Sequence, residues 1–197
     1  MDLGKWVIES ALIQIESWNQ ENFITIISVN ISAYHLLHPS FVSQLVELLK
    51  KYPSVNPNQL ELEVLETAAM SDINCAIDVL AQCKALGLYI SLDDFGTGYS
   101  SLSYLKKFPI DTIKIDKSFI SDLMYSEEDR KIVNSIIQLA HNLGLKVTAE
   151  GAEELDQILF LKKLGCEEVQ GFYYCKPLAG EEYLAFLAKS INLFEIE

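Results

Sequence analysis

Apolar and polar positions follow two rhythms along this chain, and the rhythms take turns. Short apolar runs at residues 24–30, 60–65, 88–93, 112–116, 146–150 and 168–171 read as strands. Between them the apolar residues recur at helical spacing. Leu3, Trp6, Val7, Ala11, Leu12, Ile15 and Trp18 mark one helical stripe over residues 2–18. Further helices are predicted over 40–50, 71–86, 100–106, 127–143, 153–164 and 181–189. Ser71 or Asp72 serves as a starting cap, and Gly87, Gly144 and Gly165 mark exits. Strand and helix therefore alternate as βα units, the pattern of a parallel sheet in an α/β, TIM-like (β/α) barrel. In such a barrel the strand ends that feed the βα loops converge on one face, which holds the active site.

Each strand ends in polar residues suited to metal or phosphate chemistry. The first ends in Asn30 and Ser32, the second carries Glu63 with Glu66 just beyond, and the third ends in Asp93 and Asp94. Lys114 and Asp116 sit on the fourth, Glu150 closes the fifth with Glu153 following, and Gln170 lies on the sixth. Adjacent carboxylates repel unless something positive lies between them, and a divalent metal is the usual remedy. A solvated loop whose aspartates cap the following helix is the alternative. Side chains alternate along a strand, so Glu61 and Glu63 share one face, as do Lys114 and Asp116. A lysine among carboxylates stays protonated and suits holding a water better than abstracting a proton.

The chain has 197 residues, 50% of them hydrophobic and 22% charged, which fits one globular domain with a sizeable core. A net charge of −13 excludes a general nucleic-acid surface, which needs a basic face. A small phosphorylated ligand remains compatible, provided metals neutralise the carboxylates. No apolar run reaches the roughly 18 residues of a membrane span, and no signal-peptide pattern opens the chain, so a cytoplasmic location is expected. Cys75, Cys83, Cys166 and Cys175 lack any C-x-x-C spacing and read as free thiols. His35 and His38 are expected in surface or capping roles near a helix start.

These pieces together resemble the EAL domain family, bacterial signalling domains that hydrolyse cyclic di-GMP to the linear dinucleotide pGpG. The resemblance rests on V-N-I-S at 29–32, E-L-E-V-L-E-T at 61–67 and L-D-D-F-G-T-G-Y-S-S-L at 92–102. It continues through I-K-I-D-K-S-F at 113–119, A-E-G-A-E at 149–153 and Q-G-F-Y-Y-C-K-P at 170–177. It implies a two-metal phosphodiesterase using Mg2+ or Mn2+. Asn30, Glu63 and Asp93 match ligands of the first metal; Asp93 bridges to a second, also served by Asp94 with Glu150 nearby. Lys114 matches the lysine that holds the attacking water, Gln170 a supporting glutamine, and Glu66 the glutamate that steadies the loop after Asp94. Glu153 matches a further acidic position.

The Glu-Ala-Leu tripeptide that names the family, whose glutamate is a first-metal ligand, does not occur in this chain. Glu9-Ser10-Ala11-Leu12 is a near match inside a predicted helix. The expectation is a single EAL-like domain over 1–197, N-terminally truncated: an incomplete barrel of about six parallel strands, the first two missing. Its first-metal ligand set would be incomplete and its activity impaired. The open barrel edge would be covered by self-association or a partner segment. The alternatives are a degenerate EAL domain that binds cyclic di-GMP or a protein as a regulatory module, and an inactive gene remnant.

Overall fold

A computed structural model describes residues 3–98 and 102–190. The chain runs α1 (Leu3–Gln20), β1 (Ile27–Ile31), α2 (Ala33–Leu36), α3 (Phe41–Lys51), β2 (Leu60–Leu65), α4 (Glu66–Ser71), α5 (Ile73–Ala85) and β3 (Tyr89–Phe95). It continues α6 (Leu102–Leu105), β4 (Thr112–Ile115), α7 (Lys117–Ser121), α8 (Glu127–Asn142), β5 (Lys146–Glu150), α9 (Leu155–Leu164), β6 (Glu168–Gln170) and α10 (Gly180–Ser190). The first residues of the helices expected from 2 and from 100, like residues 99–101 of the aspartate-pair motif, lie outside the described residues.

The six strands form one sheet in the order β1-β2-β3-β4-β5-β6, every neighbour parallel, curled into a half-barrel. The helical connections make this order possible, since parallel neighbours need a crossover. Among the described residues β1 and β6 each keep one unpaired edge. No described helix is long and apolar enough to cross a membrane.

Alternation along the strands sorts the side chains into two layers. Leu62 and Val64, Ile90 and Leu92, Ile113 and Ile115, and Val147 and Ala149 are almost fully buried. They face outward, into the helices, together with Leu12, Ile15, Leu45, Leu80, Ile137 and Leu161. Inward point Glu61 and Glu63, Ser91 and Asp93, Thr112 and Lys114, Thr148 and Glu150. The core therefore lies between sheet and helices, and the concave side of the sheet is polar.

The two ends of the half-barrel meet through helices. Trp18 of α1 lies with its ring centroid 5.5 Å from Phe23 and 5.7 Å from Tyr183 of α10. Phe23 and Tyr183 stand 6.5 Å apart, edge to face. Gly180, at the start of α10, lies against the Gln14 side chain of α1, close enough that a Cβ there would collide with it.

Two expectations need correction. Asp116 does not end the fourth strand: it is the N-cap of α7, its carboxylate accepting the Ser118 amide at 3.0 Å. His35 is not at the surface; it is 4% exposed inside α2, with Nε2 3.3 Å from Gln44 Oε1. Ser32 supplies the cap instead, accepting the His35 amide.

Candidate functional site

The polar concave face gathers its charges at the C-terminal ends of the strands. β2 brings Glu63 inward, 7% exposed. The chain then turns directly into α4, whose first residue, Glu66, is 2% exposed. The Glu66 Oε2 atom accepts the Gly96 amide at 3.2 Å. Gly98 presses so closely on the same carboxylate that a Cβ there would overlap it. Glu66 thus ties the end of β2 to the loop after β3.

Strict alternation would send Asp93 and Asp94 to opposite faces of β3. The register between β3 and β4 slips between Leu92 and Phe95, and Asp94 takes φ +55°. A left-handed residue at a bulge re-aims a side chain, and for a non-glycine it costs about 1–2 kcal/mol. As a result Asp93, Asp94 and Glu150 each offer a carboxylate oxygen, all within 4.8 Å of one another. The Asp94 amide also donates to Asp93 Oδ1 at 3.1 Å.

Lys114 stands among them, 5% exposed. Its Nζ lies 2.5 Å from Glu150, 2.6 Å from Glu63 and 3.6 Å from Asp93. Burial alone would lower its pKa; the hydrogen bonds it donates to Glu150 and Glu63 outweigh that and hold it above the ordinary lysine value. Burial raises the Glu150 carboxyl, and Lys114 offsets this only in part. Asp94 is raised too, by desolvation and then by the neighbouring charges of Asp93 and Asp116.

Asp116, displaced from its expected strand position, shares a hydrogen bond with Asp94. Burial acts against its charge, but the Ser118 hydroxyl and amide outweigh that and hold it below the ordinary aspartate value. The sequence showed Asp116 as polar at a strand end, and with only five residues in α7 no helical period marked it as a cap.

The remaining residues divide by position. Asn30 donates from Nδ2 to Glu63 Oε2 at 3.0 Å, so Asn30 and Glu63 form one pair, linked to the three-carboxylate group through Lys114. Asn30 and Gln170, on the two edge strands, are exposed. Gln170 pairs in register with Glu150, and its backbone carbonyl accepts the Ala152 amide at 3.1 Å. Glu153 lies outside the cluster and pairs with Lys117 at 3.5 Å. A cavity of about 880 Å³ opens beside Glu150 and Gln170, walled by Phe172, Tyr174, Tyr183 and Phe186.

Comparison with known proteins agrees with this geometry. The family model described as the EAL domain matches residues 1–177. The signaling protein YkoW of Bacillus subtilis is 40% identical over 187 residues, covering 95% of this chain and 23% of YkoW. The bifunctional diguanylate cyclase/cyclic di-GMP phosphodiesterase MucR of Pseudomonas aeruginosa is 40% identical over 189 residues, covering 95% of this chain and 27% of MucR. The chain thus spans about a quarter of the length of these relatives. The solved MucR phosphodiesterase in complex with c-di-GMP superposes with a TM-score of 0.88 at 40% identity, over 92% of this chain and 73% of that one. The EAL domain of Mycobacterium smegmatis DcpA does so with a TM-score of 0.88 at 35% identity, over 95% of this chain and 85% of that one.

Proposed function

The chain belongs to the EAL domain family, and from that premise we propose that it carries the site of a cyclic di-GMP phosphodiesterase, which opens the cyclic dinucleotide to its linear form. The observation that carries this reading is the convergence of Asp93, Asp94 and Glu150 within 4.8 Å, with a protonated Lys114 against them. Hard oxygen donors at this spacing fit Mg2+ or Mn2+. Burial first, and neighbouring carboxylates after it, raise the Asp94 and Glu150 carboxyls, and a cation held there would relieve both effects. Asp93, Asp94 and Glu150 would hold the divalent cations, which would supply an activated water and neutralise phosphate oxygens.

The chain's own residues do the rest. Asp93 sits between Asp94, through the short amide contact, and Lys114, so it is the carboxylate suited to being shared. Asn30 and Glu63 would complete a second set of donors on its other side. Lys114 keeps its proton and donates hydrogen bonds, so it orients a water rather than accepting a proton from it. Glu66 fixes the loop that carries Asp94, and Gln170 borders the cavity where the nucleotide would lie.

Turnover by the isolated chain is expected to be little or none. Asn30 and Gln170 stand exposed on strands that lack a neighbour on one side among the described residues, and Asn30 is held by its single hydrogen bond to Glu63. Those same edges are read as the place where a second copy or a partner segment adds to the sheet. A second reading, a cyclic di-GMP-binding regulatory module, is favoured by the way Glu63 is already engaged by Lys114 and Asn30. Calorimetric titration with cyclic di-GMP, with and without magnesium, combined with a turnover assay, tests both. Magnesium-dependent binding with slow hydrolysis supports the enzyme; binding indifferent to magnesium and without product supports the module. No binding under any condition overturns both. Light scattering showing a monomer at all concentrations would remove self-association.

A further inference from the structure

Two lysines three positions apart, at the end of β4 and the start of α7, have opposite situations. Lys114 is enclosed and bonded to two carboxylates, so it is committed to the cluster. Lys117 is 58% exposed in its side chain, and its one ion-pair partner among the described residues is Glu153, 3.5 Å away and 53% exposed. Such a pair is worth little, because water already solvates both ends. Its ammonium can be passed to a stronger anion at almost no cost.

The stem of Lys117 is nevertheless placed with care. It lies across Gly151, directly after Glu150, where a Cβ would sit 2.6 Å from Lys117 Cγ and 2.8 Å from its Cβ. Gly151 also holds φ +76°, so a side chain at that position is disfavoured twice over. The absence of that side chain lets the lysine reach over the end of β5 and line the 880 Å³ cavity beside Glu150 and Gln170. Lys176, from the loop after β6, lines the same cavity and has no ion pair among the described residues. The cavity therefore joins a carboxylate end, suited to cations, to aromatic walls and a rim of available ammonium groups.

We propose that Lys117 is a ligand-binding residue of this cavity, exchanging Glu153 for the phosphate of a dinucleotide that the carboxylate cluster does not engage. This rests on the reading of the site as one for cyclic di-GMP. A cyclic dinucleotide carries two phosphodiesters, and cations held by Asp93, Asp94 and Glu150 would account for one of them. The other enters a region whose carboxylates, Glu150 and Glu153, repel it and whose rim ammonium groups, Lys117 and Lys176, attract it. Lys114 is not available for it. Lys117 is, and Glu153 serves as the place-holder that keeps the ammonium over the rim until the ligand arrives.

The test is calorimetry of cyclic di-GMP binding to the 1–197 chain in magnesium. Lys117→Met is expected to weaken binding about tenfold and to flatten its dependence on salt. Lys117→Arg should keep most of the affinity. Gly151→Ala, which displaces the stem without removing the charge, should weaken binding in the same direction. Glu153→Gln, which frees the ammonium, should leave binding equal or tighter. Titration of Lys117→Met with magnesium alone should match the parent chain, which separates a lost phosphate contact from a damaged cluster. Unchanged cyclic di-GMP affinity in Lys117→Met, with the parent chain binding, overturns this proposal alone. Failure of the parent chain to bind overturns the underlying reading and this proposal together.

Discussion

The four inner strands and the two outer ones present polar side chains to the same concave surface, yet their fates differ. Glu63, Asp93 and Lys114 are each less than a tenth exposed, and both carboxylates pair with the lysine. Asn30 and Gln170, on β1 and β6, are exposed. The residue types do not explain the difference, since an amide is easier to bury than a carboxylate. Neighbours explain it: among the described residues β2, β3, β4 and β5 have a strand on each side, and β1 and β6 have one on a single side. Charge at the centre is tolerated because it is paired, and amides at the edge are left in water because the sheet stops.

The largest way to break this contrast is to remove the central cation. Lys114→Met leaves Glu63, Glu150 and Asp93 facing one another without a counter-charge. The loss is expected to be about 3 kcal/mol of unfolding free energy in urea without divalent metal. Added magnesium should restore part of it, since the cation replaces the missing charge. An unchanged midpoint would mean that the centre is not held by its ion pairs.

A smaller effect separates centre from edge in metal affinity. Asp93→Ala is expected to weaken magnesium binding by well over tenfold, and Gln170→Ala by only a few-fold. Equal losses at the two positions would erase the distinction between inner and outer strands.

The smallest effect is in pH. The Asp94 and Glu150 carboxyls sit above their ordinary values, so they take up protons before a free carboxylate would. Protons and metal compete for them, and magnesium affinity should fall as pH drops from neutral, starting above the ordinary carboxylate range. The metal-free fold responds with the opposite sign. A raised carboxyl is bound more tightly to its proton in the native state, so these two groups add stability as pH falls through their folded values. Asp116, held low, gives stability above its unfolded value and loses it as pH falls through its folded one.

Much of this was legible in the residue pattern. The six strands and their parallel pairing follow from alternating βα units, the half-barrel is what the EAL resemblance implied, and strand bounds matched to within a few residues. Short helices such as α2, α4 and α7 were not legible, because four to six residues complete too little of a helical turn to show a period. Asp116 was misplaced for that reason: with α7 unseen, its side chain had only a strand to belong to. The left-handed turn at Asp94 was invisible as well. Glycine announces positive φ in a sequence; an aspartate forced into it by a bulge and by Glu66 gripping the next loop does not. Burial of His35 and the meeting of α1 with α10 depend on contacts between distant segments, which local spacing does not encode.

That meeting makes Trp18 an optical gauge. Its indole is shielded between Phe23 and Tyr183, whereas the chain's other tryptophan, Trp6, is half exposed and already reports water. Anything that wedges α10 away from α1 to reach the unpaired side of β6 wets Trp18 first and shifts its emission to the red, so the molecule signals the opening of its own seam without a label.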